Sequence, residues 1–226
     1  YQLRLSDSGG ALAAVFQFQV VFQPAGLAGP IVLDLDGDGL ELVDREGSPV
    51  SFDMDGDGGV NVTGWVAADD GFVVYDRNQD GAITTGEELS FMNEIEGAVS
   101  DFEGFAAFDS NQNGLLESGD AMFQTLQVWR DLDQDGTSDA GELFSFASVG
   151  VTAINLTLTL TGNEMGDGSE NVVYGTFSFT RSNGSSGSGG DVFLSYDENV
   201  GQLPPIVLDL DGDGVRLTSR TASNVR

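Results

Sequence analysis

"PIVLDLDGDG", Pro30–Gly39, recurs letter for letter as Pro205–Gly214. Each copy runs a short apolar stretch, Ile-Val-Leu, into three aspartates on alternate residues with two glycines among them. Three like charges at that spacing repel one another unless a cation sits between them, and glycine permits the positive-φ turn that points them inward. The stretch reads as a strand entering half of a metal-binding loop, and the fold is predicted to be organised around such loops.

The bulk composition agrees with that reading. The 226-residue chain carries 37 acidic residues against 8 basic ones, a formal net charge of −29, which excludes nucleic acid and anionic membrane surfaces as partners. Cysteine and histidine are both absent, so disulfides, thiolate nucleophiles, Cys/His zinc sites and histidine triads are excluded as well. Hard oxygen ligands remain, and calcium is the cation that suits them. With 40% hydrophobic residues and fifteen Phe the chain is expected to fold once its charge is countered. The longest apolar run, "LAAVFQFQVVF" (12–22), is broken by glutamines and has no basic flank, so neither a signal peptide nor a membrane span is expected there. Export would be directed by residues outside this chain.

Residues 1–23 alternate with period two around a "SDSGG" turn, which predicts a β-hairpin closing a sandwich-type domain or forming half of a split one. A Pro/Gly-rich linker follows to Pro30. Between Pro30 and about Gly150, acidic loops alternate with apolar segments. Three of these, "EELSFMNEIE", "DFEGFAAF" and "AMFQTLQVWR", have helical length and spacing. From Val151 the period returns to two, giving three strands joined by glycine-rich turns and by a flexible "RSNGSSGSGG" segment. The predicted class is α+β: a calcium-loop-rich module with EF-hand-like loops, short helices and antiparallel strands, preceded by a β-hairpin from a sandwich-type domain. The predicted division is 1–29 for the hairpin and linker, 30–200 for the module, and 201–226 for the start of a following copy or a return strand.

The EF-hand loop template takes ligands from positions 1, 3, 5, 7 (backbone carbonyl), 9 and 12, with Gly at 6. Three stretches fill it. The first supplies Asp76, Asn78, Asp80, the Ala82 carbonyl, Thr84 and Glu87. The second supplies Asp109, Asn111, Asn113, the Leu115 carbonyl, Glu117 and the shorter Asp120. The third supplies Asp131, Asp133, Asp135, the Thr137 carbonyl, Asp139 and Glu142. Three further loops have only the front half: Asp34, Asp36 and Asp38; Asp53, Asp55 and Asp57; and Asp209, Asp211 and Asp213. Their twelfth positions are Arg45, Gly64 and Arg220, so each needs oxygens from elsewhere, from a neighbour such as Glu41, Asp44, Asp69 or Asp70, from water, or from an outside carboxylate. About five or six calcium ions are expected in all. Trp65 and Trp129 are expected in the core, and the many acids, already explained by loop spacing, do not suggest a glycosidase pair.

These motifs in this order, "PIVLDLDGDG", "FDMDGDG", "TGWVAADDGFVVYDRNQDG", "GEEL", "FDSNQNG" and "VWRDLDQDG…GELFSFASVGV", resemble the calcium-binding modules of large, type I-secreted RTX proteins of Gram-negative bacteria, over about Pro30–Asp197. The resemblance implies one of two branches. One is a self-processing module that, on binding calcium, cleaves the Asp-Pro bond at its own start and can join the released aspartyl group to a lysine. The other is the peptide-binding domain of RTX adhesins. Self-processing needs aspartate before the opening proline, but Gly29 precedes Pro30 and no Asp-Pro bond occurs in the chain. The expectation is therefore a non-enzymatic, calcium-dependent adhesion module, monomeric within a longer extracellular chain at the bacterial surface and active in cell adhesion or biofilm. It would capture the C-terminal carboxylate of a protein on a host or neighbouring cell near Asp36, Asp53 and Asp69. A calcium-stiffened spacer and the self-processing module are the alternatives.

Overall fold

In the computed structural model, residues 2–6, 12–17, 27–163 and 170–197 are described. The apolar triplets that precede the acidic loops are rich in β-branched and aromatic residues, a composition that favours strand, and strands they are. In chain order these are β1 (Gln2–Ser6), β2 (Leu12–Gln17), β3 (Leu27–Ala28), β4 (Ile31–Leu33), β5 (Leu42–Val43), β6 (Ser51–Phe52), β7 (Asn61–Val62), β8 (Trp65–Val66) and β9 (Gly71–Val74). After them come β10 (Leu115–Glu117), β11 (Gln127–Trp129), β12 (Leu143–Ser145), β13 (Val151–Asn155), β14 (Thr159–Leu160), β15 (Val172–Arg181) and β16 (Ser186–Ser195).

Ten of these strands form one antiparallel sheet in the order β10-β13-β15-β16-β4-β9-β11-β12, with β14 added on β15 and β3 on β16. β1 pairs with β2 as an antiparallel hairpin. The central strands are buried on both faces, and alternation sorts their side chains into two cores. Ile31, Leu33, Val73 and Val128 enter one, with Phe91, Phe102, Phe105 and Phe177. Val32, Phe72, Val74 and Trp129 enter the other, with Phe52, Trp65 and Val192. Trp65 and Trp129 are fully buried and meet edge to face at 5.4 Å.

The fold therefore corrects the α+β expectation: the described residues are mostly β, and they lack the flanking helices of an EF-hand. Among them the one α-helix is α1 (Asp101–Phe105), five residues long, capped by Ser100 and followed by a 3₁₀ turn. The segment "EELSFMNEIE" forms two 3₁₀ turns, and "AMFQTLQVWR" runs from turns into β11. Each segment is too short to repay helix nucleation, and pairing with the sheet buries the same apolar side chains.

The glycine-rich stretch expected as a flexible connection holds only a short turn: Arg181 ends β15, and residues 186–190 are already the start of β16. A Cβ at Gly187 would lie 2.3 Å from the Phe179 ring, and one at Gly189 would lie 2.4 Å from the Phe177 ring. The glycines leave room for two phenyl rings that cross from the paired strand.

Candidate metal centre

The acidic loops hang from this sheet. Those starting at Asp34, Asp53, Asp76 and Asp131 follow β4, β6, β9 and β11, and the one starting at Asp109 follows the 3₁₀ turn Ala106–Phe108. The Asp131 loop is itself the hairpin connection between β11 and β12, and the Asp53 loop connects β6 to β7. All five share one backbone signature. Position 6 is a glycine of positive φ in each (Gly39, Gly58, Gly81, Gly114, Gly136), and position 4 is also left-handed, as Gly37, Gly56, Gln79, Gln112 and Gln134.

In the three complete loops the first aspartate turns inward to accept the amides of positions 5 and 6. Asp76 accepts from Asp80 and Gly81 at 3.2 and 3.0 Å, Asp109 from Asn113 and Gly114 at 3.2 and 2.8 Å, and Asp131 from Asp135 and Gly136 at 3.2 and 2.9 Å. The fifth residues Asp80, Asn113 and Asp135 accept the amides of Ala82, Leu115 and Thr137. The eighth residues of two loops meet, the Ile83 amide donating to Ser138 Oγ at 2.7 Å.

A second signature is the acceptor that closes each loop. Glu142 accepts from Leu132 N at 2.7 Å and Asp139 N at 3.0 Å, at positions 2 and 9 of its loop. Asp120 does the same from Ser110 N at 2.8 Å and Glu117 N at 3.0 Å. In the half-loop at Asp34 the role passes to Asp70, at the start of β9, which accepts from Leu35 N at 3.2 Å and Glu41 N at 3.1 Å. Oxygens of Asp34, Asp36 and Asp70 converge within 4.8 Å, as do those of Asp53, Asp55 and Asp57, of Asp131, Asp133 and Glu142, and of Asp133, Asp135 and Asp139.

Two closing residues escaped the sequence reading. In the Asp76 loop, Glu88 is buried and accepts from Thr84 N at 2.8 Å, while Glu87 is exposed and lies beside Gly56 of the neighbouring loop. Loop spacing assigned Glu87 to the twelfth position; with the 3₁₀ turn Gly86–Glu88 it is Glu88 that reaches Thr84 N. In the Asp53 loop, Met54 N donates at 3.1 Å to the neutral amide oxygen of buried Asn61. Of the other neighbours, Asp44 accepts from Asn171 N, away from the Asp34 cluster. Glu41 and Asp69 stand near Asp38; the proton affinity of Asp38 is raised, first by a hydrogen bond to Asp36, and that of Glu41 is raised, first by the charge of Asp38. Asp209, Asp211 and Asp213 lie outside the described residues.

Burial sets the electrostatics. It pushes Asp70 up to about 6, against the two amides that hold it, and raises Asp131 as well. Burial also acts on Asp120, but the hydrogen bonds from Glu117, Ser110 and Asn111 outweigh it and leave its carboxyl low. Among the described residues the ion pairs are Arg45–Asp197 and Arg77–Glu94, neither inside an acidic cluster. Asp53 Oδ1 and Glu88 Oε1 are buried and have no hydrogen-bond partner. Unpaired buried carboxylate oxygens are costly, and a divalent cation with six to eight oxygen ligands is the group that would satisfy them. The donor set fits calcium. Both tryptophans report on one such loop, since the Trp65 indole donates to Asp131 at 2.8 Å and that of Trp129 to Glu142 at 3.4 Å.

Among the described residues, no helix is long and apolar enough to cross a membrane. Over 173 residues the chain is 39% identical to the iron-regulated protein FrpA of Neisseria meningitidis serogroup C, a match that takes in 74% of this chain and 15% of that protein. The SPM domain pattern matches residues 31–195, which begin at β4 and end with β16 and so span the whole ten-stranded sheet except β3. With its loops and its sheet both inside that match, the chain belongs to the SPM domain family.

Proposed function

We propose that this chain is a calcium-organised module of a secreted, extracellular RTX protein, built on the self-processing architecture but without the residue that would cleave its own opening bond. The observation that carries the proposal is the convergence of carboxylates, with buried oxygens left unpaired at Asp53 and Glu88, in loops that extend directly from the strands of the sheet. Calcium is then part of the fold. Self-cleavage of an Asp-Pro bond needs the aspartate side chain to attack its own carbonyl, and Gly29 has none. The chain also contains no lysine to receive a released aspartyl group. The test is to strip the protein with EDTA and restore calcium, following near-ultraviolet circular dichroism and intact mass. Calcium should restore the tertiary signal and leave the mass at 23.7 kDa. A tertiary signal indifferent to EDTA, or a calcium-triggered fragment beginning at Pro30, would overturn the reading.

A second reading, capture of a peptide's C-terminal carboxylate, is favoured by one site. The Asp53 loop is closed by a neutral amide rather than an acid, and a cavity of about 250 Å³ lined by Phe52, Asp53, Val60, Ile83 and Thr84 opens beside it. The Asp34 half-loop gives this reading no such support, because Asp70 already closes it. Titration with free-acid and C-terminally amidated tripeptides in calcium decides: equal binding, or none, removes it.

A further inference from the structure

We propose that Asp101 and Asp191 form an acid pair that shares a proton and is seated on the bond between residues 29 and 30, able to deliver that proton to the nitrogen of Pro30 when the bond is broken. The inference rests on the self-processing kinship proposed above and gives it a residue-level apparatus outside the calcium loops.

Gly29 and Pro30 are buried. A Cβ at position 29 would lie 2.6 Å from Asp101 Oδ2 and 3.2 Å from the Phe193 ring, so any side chain there would be placed directly against the Asp101 carboxyl. On the other side, Val192 N donates to the Pro30 carbonyl at 3.0 Å, and Asp191 stands opposite Ile31, one residue past the bond. Both acids are fully buried.

Their hydrogen bonding is uneven. Asp101 Oδ1 accepts from Ser90 Oγ at 2.7 Å and from the amides of Phe91 and Met92, whereas Asp101 Oδ2 and both oxygens of Asp191 have no partner. Asp101 and Asp191 belong to none of the convergent acid clusters that would hold a cation, so the cost of their three unpaired buried oxygens is met by protonating one of them. Asp191 is the one. Burial, aided by the charges of Asp101 and Glu103, pushes it up to about 7, and the nearby Ser100 hydroxyl and Phe102 amide offset only part of the effect. Burial also raises Asp101, against its three donors and the charge of Arg77.

Nothing in the calcium loops requires this arrangement, and its position gives it a chemistry. With aspartate at position 29, the side-chain oxygen forms a bond to its own carbonyl carbon and the C–N bond to Pro30 breaks. The proton of the pair passes to the departing nitrogen, which leaves as a secondary amine. Water then opens the cyclic anhydride to give back two carboxyl groups and a proton. The native chain lacks only the nucleophile.

The test is Gly29→Asp, prepared in EDTA and then given calcium. Cleavage between residues 29 and 30 is expected, with a new fragment beginning at Pro30 by mass. Adding Asp191→Asn should slow it about a hundredfold, the usual scale of a lost general acid, while Asp191→Glu should restore part of the rate. A Gly29→Asp protein that regains its near-ultraviolet signal in calcium yet stays intact, or that is cleaved as fast with Asp191→Asn, overturns the proposal. Because position 29 is crowded, the native protein supplies an independent reading. A protonated carboxyl band in its infrared spectrum at neutral pH should disappear in Asp191→Asn, and absence of that band from the native protein also overturns the proposal. The calcium response of the native chain is read separately, so failure of the cleavage and failure of the calcium-module reading are told apart.

Discussion

At the scale of the residue, consecutive glutamates with opposite fates show how little separates a ligand from a surface charge. Glu88 turns into the Asp76 loop and Glu87 does not. In a calorimetric calcium titration, Glu88→Gln should therefore weaken one site and lower stability by about 1–3 kcal/mol, the cost of a lost charged acceptor in a buried place, with Glu87→Gln close to neutral at that site. Equal effects would mean that both carboxylates are free to reach the loop. Asp191 gives a pH dependence. Its folded carboxyl, raised to about 7, keeps a proton that the unfolded chain has already released. The stability it supports is complete below the unfolded value and is lost as pH rises through about 7. At saturating calcium the native protein should lose about 1 kcal/mol between pH 6 and 8 that Asp191→Asn does not lose, read from urea unfolding. Parallel pH profiles would place the proton elsewhere.

At the scale of the element, the strand does the work that a helix does in an EF-hand. A loop of the same twelve-residue spacing is entered here by β4, β6, β9 or β11, and its first ligand sits within two residues of a side chain in one of the two cores. The hairpin of β15 and β16 supports that frame by stacking Phe177 and Phe179 over glycines. Gly189→Val should drive a branched side chain into the Phe177 ring and destabilise the calcium-loaded protein by about 1–3 kcal/mol, as overpacking does, and a melting temperature unchanged in calcium would show that the ring can move aside. "RSNGSSGSGG" looked like a linker because its composition is that of one. What made its second half a strand was the pair of rings on the neighbouring strand, Phe177 and Phe179, which no local composition reveals.

At the scale of the molecule, a net charge of −29 has to be countered before two apolar cores can close. About six calcium ions would bring about twelve positive charges, and a site held at a hundred times its dissociation constant contributes about 2.7 kcal/mol. Removal of calcium should abolish the near-ultraviolet signal of Trp65 and Trp129 and open the chain to protease, with recovery on adding calcium back, because both indoles are bonded to carboxylates of the Asp131 loop. Magnesium should substitute poorly, since it holds its water and demands a tighter octahedron. Full recovery of the signal in magnesium would argue for charge screening in place of coordination.

Local features are legible from residue order alone: which residues carry oxygen ligands, that cysteine and histidine chemistry is absent from this chain, and where the loops begin, since alternate aspartates followed by glycine act over a few residues. Helix against strand was not legible, because short apolar segments carry no periodicity that separates the two, and their pairing partners lie far along the chain. How the loops close depends on contacts between distant parts of the chain. Asp70 reaches the Asp34 loop from the start of the paired strand β9, and Asn61 replaces an acid at the Asp53 loop. Asp101 lies against Gly29 and Asp191 stands opposite Ile31, from positions ninety residues apart, and no spacing rule joins them. Burial supplies the reason in each case: a carboxyl acquires unusual chemistry when water is removed from it, and water is removed only by packing that the folded chain completes.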